Sequence, residues 1–439
     1  MRCLLLRSFP FIVIMLLVLQ GISFAQLSEK EQKIVKIVDQ QTPAALTLLE
    51  KVVNMNSGTM NFEGVQAVGE VMMQAFDEVG FETEWIPGEE FNRAGHVVAR
   101  YKGERAVKKL LLIGHLDTVF EPDSPFQTYN MMNDTLAGGP GIADMKGGNI
   151  IMLEAVRALK QTDDLELLDV TVVMTGDEEL SGRPLSLSKK ALIDAAKYAD
   201  VALGFENGDG KWQTANVARR GSIGWTLTVT GKPAHSSQVF REDIGAGAIY
   251  EAARILTDFY EELRSEEFLT FNPGRILGGT QVEDDAYTNT GTAFGKSNIV
   301  AEKAIVTGDI RGISIEQVER VKQKMEEIVS RNYPHTSATI EFSEGYPPMA
   351  PTEGNKELLV LYSEVSEDLG FGKVEAVNPL RAGAADVSFT AEYVEMALDG
   401  LGMSGTEGHT IREKGYLNSL PLQIKRAAIL MLRLANPEQ

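Results

Sequence analysis

Leu110-Leu111-Leu112-Ile113-Gly114-His115-Leu116-Asp117-Thr118 sets four consecutive aliphatic side chains ahead of a glycine, a histidine and an aspartate. A short apolar run of this kind reads as a buried strand, and its last residues are handed to a cleft. Two further runs repeat the arrangement. Val170 to Met174 leads to Asp177-Glu178-Glu179, and Val201 to Phe205 leads to Glu206. Between them, Gly139-Pro140-Gly141-Ile142-Ala143-Asp144-Met145-Lys146-Gly147-Gly148 places Asp144 on a glycine-rich turn ahead of a helix over 147–159. Met396 to Gly402 reads as a strand leading towards His409. Strands alternating with helices predict an α/β fold: a mostly parallel sheet, helices on both faces, and ligands at the carboxyl ends of the strands.

Outward from this centre, 27–55, 64–79 and 184–199 read as helices, and 82–86 and 96–101 as strands. The pattern changes near residue 217. Ile223, Trp225, Leu227 and Val229 alternate strictly, as in a strand with one buried face. Helices follow over 244–263 and 315–329, with strands over 268–277, 297–300, 304–311 and 339–342. This order predicts a smaller α+β domain of the split βαβ, ferredoxin-like kind. The larger domain is therefore expected in two parts, 26–216 and 341–439, interrupted by 217–340. The last helix is expected over 420–434.

The ligand types specify the chemistry. Zinc takes imidazole nitrogen and carboxylate oxygen, and a catalytic site keeps one position for water. Two zinc ions sharing a carboxylate can together activate that water and polarise a carbonyl. Asp144 is the natural bridge, with His115 and Glu206 completing one ion and Glu179 and His409 the other. Three carboxylates against two dications leave one positive charge, which a bridging hydroxide cancels. Asp117 follows His115 by two positions, on the same side of an extended segment, and could fix its tautomer. Glu178 is the candidate general base. Singly, each residue has a plain structural reading: a satisfied histidine, a solvated acidic turn, a helix cap. Their joint order along the chain favours a site. Cobalt or manganese could replace zinc in so carboxylate-rich a set.

Composition narrows the partners. A net charge of -20 over 439 residues argues against nucleic acid, whose phosphates want a basic face. Arg2 and Arg7 precede the apolar run Phe9 to Leu19, and Ser23-Phe24-Ala25 resembles a cleavage site, so 1–25 reads as a signal peptide. Cleavage near Ala25 would give a secreted or periplasmic protein without a membrane segment. It would also remove Cys3, the only cysteine, which excludes a thiol nucleophile and cysteine-ligated zinc.

The motifs at His115, Asp144 and Asp177-Glu178-Glu179 resemble those of the zinc-dependent exopeptidases and deacylases. That family includes carboxypeptidase G (glutamate carboxypeptidase), acetylornithine deacetylase, succinyl-diaminopimelate desuccinylase and aminoacylase. The segment from Gly139 to Asn149 most resembles the carboxypeptidase G branch. The resemblance covers nearly the whole mature chain. It implies that His115, Asp144, Glu179, Glu206 and His409 hold the metals, that Glu178 is the base, and that Asp117 supports His115. The inserted domain then matches the family's lid and dimerisation domain, and a homodimer is implied. Gly231-Lys232-Pro233-Ala234-His235-Ser236 resembles the motif whose histidine reaches the partner subunit's site and steadies the oxyanion. Asn298 and Arg311 match lid residues that bind the substrate carboxylate. Where relatives often carry a Gly-Gly-Ser/Thr-Asp-Ala turn, this chain has Arg381-Ala382-Gly383-Ala384-Ala385-Asp386; Arg381 could clamp an anionic substrate or be an ordinary loop arginine. The implied activity is hydrolysis of an amide beside a free carboxylate, in a small peptide. The alternatives are an N-acyl-amino-acid deacylase, a di- or tripeptidase, and an exported metal- or peptide-binding protein without catalysis.

Overall fold

The computed structural model describes residues 27–285 and 288–436. The expected signal peptide lies outside them. Among the described residues no helix is long and apolar enough to cross a membrane.

The aliphatic run forms the strand Lys108–His115, near the middle of a six-stranded sheet. Strand order is Glu82–Pro87, Gly95–Lys102, Leu168–Thr175, Lys108–His115, Val201–Gly204, Met396–Leu398. The last four run parallel, and antiparallel pairing is confined to the side of the first two. Both faces are buried because side chains alternate along each strand. Leu110 and Leu112 pack beneath the helices Glu29–Val53, Gly147–Gln161 and Ser419–Ala435. Leu111 and Ile113 join Leu192, Ala196 and Val387 on the opposite face. The first helix starts at a capping box: Ser28 Oγ accepts from Glu31 N–H, and Glu31 Oε2 accepts from Ser28 N–H at 2.7 Å.

A second sheet has its own core. Its strands follow the spatial order Thr270–Gly279, Lys303–Arg311, Ile223–Gly231, Thr336–Phe342, all antiparallel. The helices Ala248–Leu263 and Ile315–Ser330 cover one face, where Trp225, Leu227 and Val229 meet Ile255, Phe259, Val321 and Met325. This is the split βαβ arrangement, so the α/β fold with a smaller α+β domain is present.

Several elements differ from expectation. Ser297 to Val300 is not a sheet strand. It crosses the 234–236 loop, with Val300 N–H donating to Ala234 O and Ser236 N–H to Asn298 O. The helix expected from 244 starts at Ala248, because Gly245 and Gly247 take positive φ. The 184–199 helix is two short ones, Leu185–Ser188 and Lys190–Ala196. A hairpin, Gln281–Asp285 with Thr290–Phe294, interrupts the inserted domain.

Candidate metal centre

Parallel strands that end together bring distant residues to one place. Leu116 N–H donates to Thr175 O at 2.7 Å, and Phe205 N–H to Ile113 O at 3.0 Å, so three strand ends are tied edge to edge. His115, the turn at 177–179 and Glu206 emerge there. Asp144 arrives from the glycine-rich turn, whose Gly141 sits at φ 71°. Asn149, in the first turn of the following helix, donates to His115 O at 2.6 Å and fixes that helix against the strand.

His115 Nε2 lies 3.3 Å from Asp144 Oδ1 and 3.4 Å from Glu206 Oε1. His409 Nε2 lies 3.1 Å from Asp144 Oδ2 and 3.2 Å from Glu179 Oε2. Within each set, His115, Asp144, Glu206 and then Asp144, Glu179, His409, the donor atoms fall within 4.8 Å of one another. Each Asp144 oxygen therefore faces a different histidine–carboxylate pair. Glu179 Oε1 is buried without a hydrogen-bond partner. An orphaned carboxylate oxygen is costly unless a cation meets it. The donor set, imidazole and carboxylate without thiolate, fits a pair of divalent ions.

The electrostatics agree. Burial pushes Glu206 up to about 7, reinforced by Asp144. Burial and Asp144 likewise raise Glu179. Burial works against a charged His115, but Glu206, Asp117 and Asp144 outweigh it and lift that ring well above its ordinary value. Hydrogen bonds to Asp144 and Glu179 push His409 up to about 11. Carboxylates crowded enough to raise one another and the rings beside them mark a site built for cations.

Asp117 lies against the other ring nitrogen of His115, chiefly through its backbone carbonyl. His115 Nδ1 is 3.0 Å from the backbone carbonyl of Asp117 and 3.4 Å from its carboxylate. The carboxylate also accepts from Glu178 N–H and Glu179 N–H, both at 3.1 Å, and from Thr59 Oγ at 2.7 Å. One buried residue thus holds both the histidine and the acidic turn. Glu178 is half-buried beside these groups, and burial, then Glu206, raises its carboxyl well above the usual range.

Other supports escaped the sequence reading. Glu413 is buried and accepts from Gly141 N–H at 3.1 Å, Ala143 N–H at 2.9 Å and Asp144 N–H at 3.1 Å. It fastens the Asp144 turn to the segment carrying His409. Lys189, fully buried, lies 2.8 Å from Asp177 and 3.1 Å from Asp386. Arg219 Nε is 2.5 Å from Asp399, whose other oxygen accepts from Glu206 N–H at 3.3 Å. A glutamate four residues after His409 was the one available signal; the rest depend on long-range contacts.

The substrate-binding candidates make contacts of their own. His235 is exposed, its Nδ1 2.8 Å from Ser237 Oγ, and Asn298 is exposed on the neighbouring loop. Arg311 Nε is 2.9 Å from Asp309. Its Nη1 approaches Gly383, whose carbonyl accepts from Arg219 Nη1 at 3.1 Å. Arg381 is exposed and lies 3.2 Å from Asp209.

Known proteins share this arrangement of sequence and fold. The chain is 25% identical over 421 residues to carboxypeptidase G2 of Pseudomonas sp. (strain RS-16), covering 94% of each. The aminopeptidase PepT from Bacillus cereus ATCC 10987 superposes with a TM-score of 0.69 at 20% identity, over 90% of this chain and 99% of that one. A dinuclear metal-binding M20 peptidase from Bacillus subtilis does so with a TM-score of 0.63 at 15% identity, over 90% and 99%. Residues 111–433 match the model of peptidase family M20/M25/M40. The chain belongs to peptidase family M20/M25/M40 and is a hydrolase.

Proposed function

We propose that this protein is an exported carboxypeptidase with two zinc ions, which cleaves the amide bond next to a free carboxylate. The observation that carries this is Asp144, whose two oxygens face two separate histidine–carboxylate pairs. His115, Asp144 and Glu206 would hold one ion; Asp144, Glu179 and His409 would hold the other. Bound there, the ions supply a water of lowered pKa and a Lewis acid for the substrate carbonyl. Glu178 takes the proton from the attacking water and delivers it to the leaving amine. Its half-buried place among carboxylates raises its proton affinity, as that role needs. Asp117 holds Glu178 and Glu179 by their backbone amides and so sets the base against the ligands.

Specificity for an anionic end is supported by an arginine group in a chain of net charge -20. Arg219, Arg311 and Arg381 all lie at or near the loop around Gly383, and Arg311 is close enough to lower the pKa of the already desolvated Arg220. We assign carboxylate binding to Arg311, with Asn298 and Arg381. A glutamate-like C-terminal residue suits them, in keeping with the relative named carboxypeptidase G2. His235 serves the oxyanion of a partner subunit in a homodimer. An exposed edge strand, Thr270–Gly279, supports that pairing, as do the exposed Phe240, Ile249, Tyr250, Ile276 and Phe294.

The test is a substrate panel on metal-loaded mature protein: peptides ending in glutamate, other di- and tripeptides, and N-acyl amino acids. Peptides ending in glutamate should turn over fastest. Turnover confined to acyl amino acids would make the protein a deacylase, and none at all would make it a binding protein. Glu178→Ala should retain both metals and lose roughly 10²–10⁴ in kcat.

A further inference from the structure

The two chain crossings between the domains run side by side. Ser222, entering the strand Ile223–Gly231, exchanges two backbone hydrogen bonds of 3.0 Å with Tyr346, which follows the strand Thr336–Phe342. Arg219 and Met349 do the same at 2.9 Å. Tyr346 therefore lies in the connection on which the smaller domain is hung. Its ring packs edge-on to Phe389 of the larger domain, centroids 4.8 Å apart.

The Tyr346 hydroxyl lies 3.1 Å from Glu178 O, 3.1 Å from Asp386 Oδ1 and 2.8 Å from Ser181 Oγ. It has one proton, so it donates to one of the two acceptors at a time while accepting from Ser181. Glu178 is thus gripped on both sides: its N–H by Asp117, its carbonyl by a residue of the interdomain connection. Asp386 is itself anchored by Lys189 at 3.1 Å and by Thr175 Oγ at 2.5 Å, so the contact is made to a rigid base.

We propose that Tyr346 is a positioning residue, whose hydroxyl sets the Glu178 turn and ties it to the segment that carries the smaller domain. This rests on Glu178 being the base, as assigned above. One oxygen thus joins the turn that carries the base to the connection that carries the smaller domain. Tyr346→Phe removes that oxygen and keeps the ring on Phe389, so the fold is retained.

The test is a double-mutant cycle on the metal-loaded full-length protein: parent, Tyr346→Phe, Glu178→Ala and the double variant, with bound metal measured in each. Tyr346→Phe should lower kcat about 10-fold, the worth of one to two hydrogen bonds, with KM changed less than about twofold and metal content equal to the parent. In the Glu178→Ala background the same substitution should change the residual rate less than about twofold, since its route to the chemistry is gone. Parent kcat in Tyr346→Phe overturns the proposal. So does an equal loss in both backgrounds, or a loss that tracks missing metal. If Glu178→Ala alone turns over at the parent rate, the base assignment fails and this inference with it; if only Tyr346→Phe is silent, the base assignment stands.

Discussion

His115 and His409 are held protonated by the carboxylates around them, yet a metal ligand must offer a neutral ring. Loading the protein with metal at pH 7 should therefore release about two protons per chain, with a further fraction from Glu206. Calorimetry in buffers of different ionisation enthalpy reads this number directly. Affinity should fall as pH falls, because protons at higher activity compete with the metal for both rings. Glu413 offers a second residue-level prediction. Its carboxylate accepts three amide protons, and a glutamine presents two donors to that ring of donors. Glu413→Gln should weaken metal binding by at least about 10-fold, the worth of one or two charge-assisted bonds, measured by competition with a chelator. The residues that the structure gathers into two candidate cation sets were legible because each follows a strand-like or glycine-rich run of recognisable composition. Glu413 was marked only by its place four residues after His409, and Lys189 and Tyr346 by nothing local, since their partners lie from 12 to 272 residues away.

The helix Gly147–Gln161 shows how elements set the centre. A Cβ on Gly148 would sit 2.0 Å from Phe205 O, a backbone atom with no freedom to retreat. Alanine there would ordinarily favour the helix by up to about 1 kcal/mol. Here the clash should win, so Gly148→Ala should destabilise by about 2 kcal/mol in denaturant unfolding and displace Glu206 with the strand end. The same helix buries Glu154, and burial pushes it up to about 7 despite Arg157. A carboxyl raised in the folded state favours folding below its unfolded pKa and loses that advantage as pH rises to about 7. Glu154→Gln should therefore flatten the decline in stability between about pH 4.5 and 7, gaining about 1–3 kcal/mol at the upper end. Strands and helices with strong periodicity were read correctly. Ser297 to Val300 misled because its composition is strand-like while its partners are a loop, and the 281–294 hairpin was hidden by its polar, exposed sequence.

At the scale of the molecule, the edge strand Thr270–Gly279 of the smaller domain lies in the same domain as a group of exposed aromatic and aliphatic side chains. Light scattering should give twice the chain mass, and replacing Ile276 and Phe294 together with aspartate should return monomers whose metal content is unchanged. Turnover should fall with dimer content if His235 serves the neighbouring copy. A final consequence follows from the interruption of the larger domain. Glu206 is made before the inserted unit and His409 after it, so the cation cage cannot close while synthesis is under way. On the proposed assignment, a stalled or clipped product ending inside the insertion would lack His409 and should be proteolytically inert, hydrolytic power arriving only after the chain has returned to finish the sheet it left.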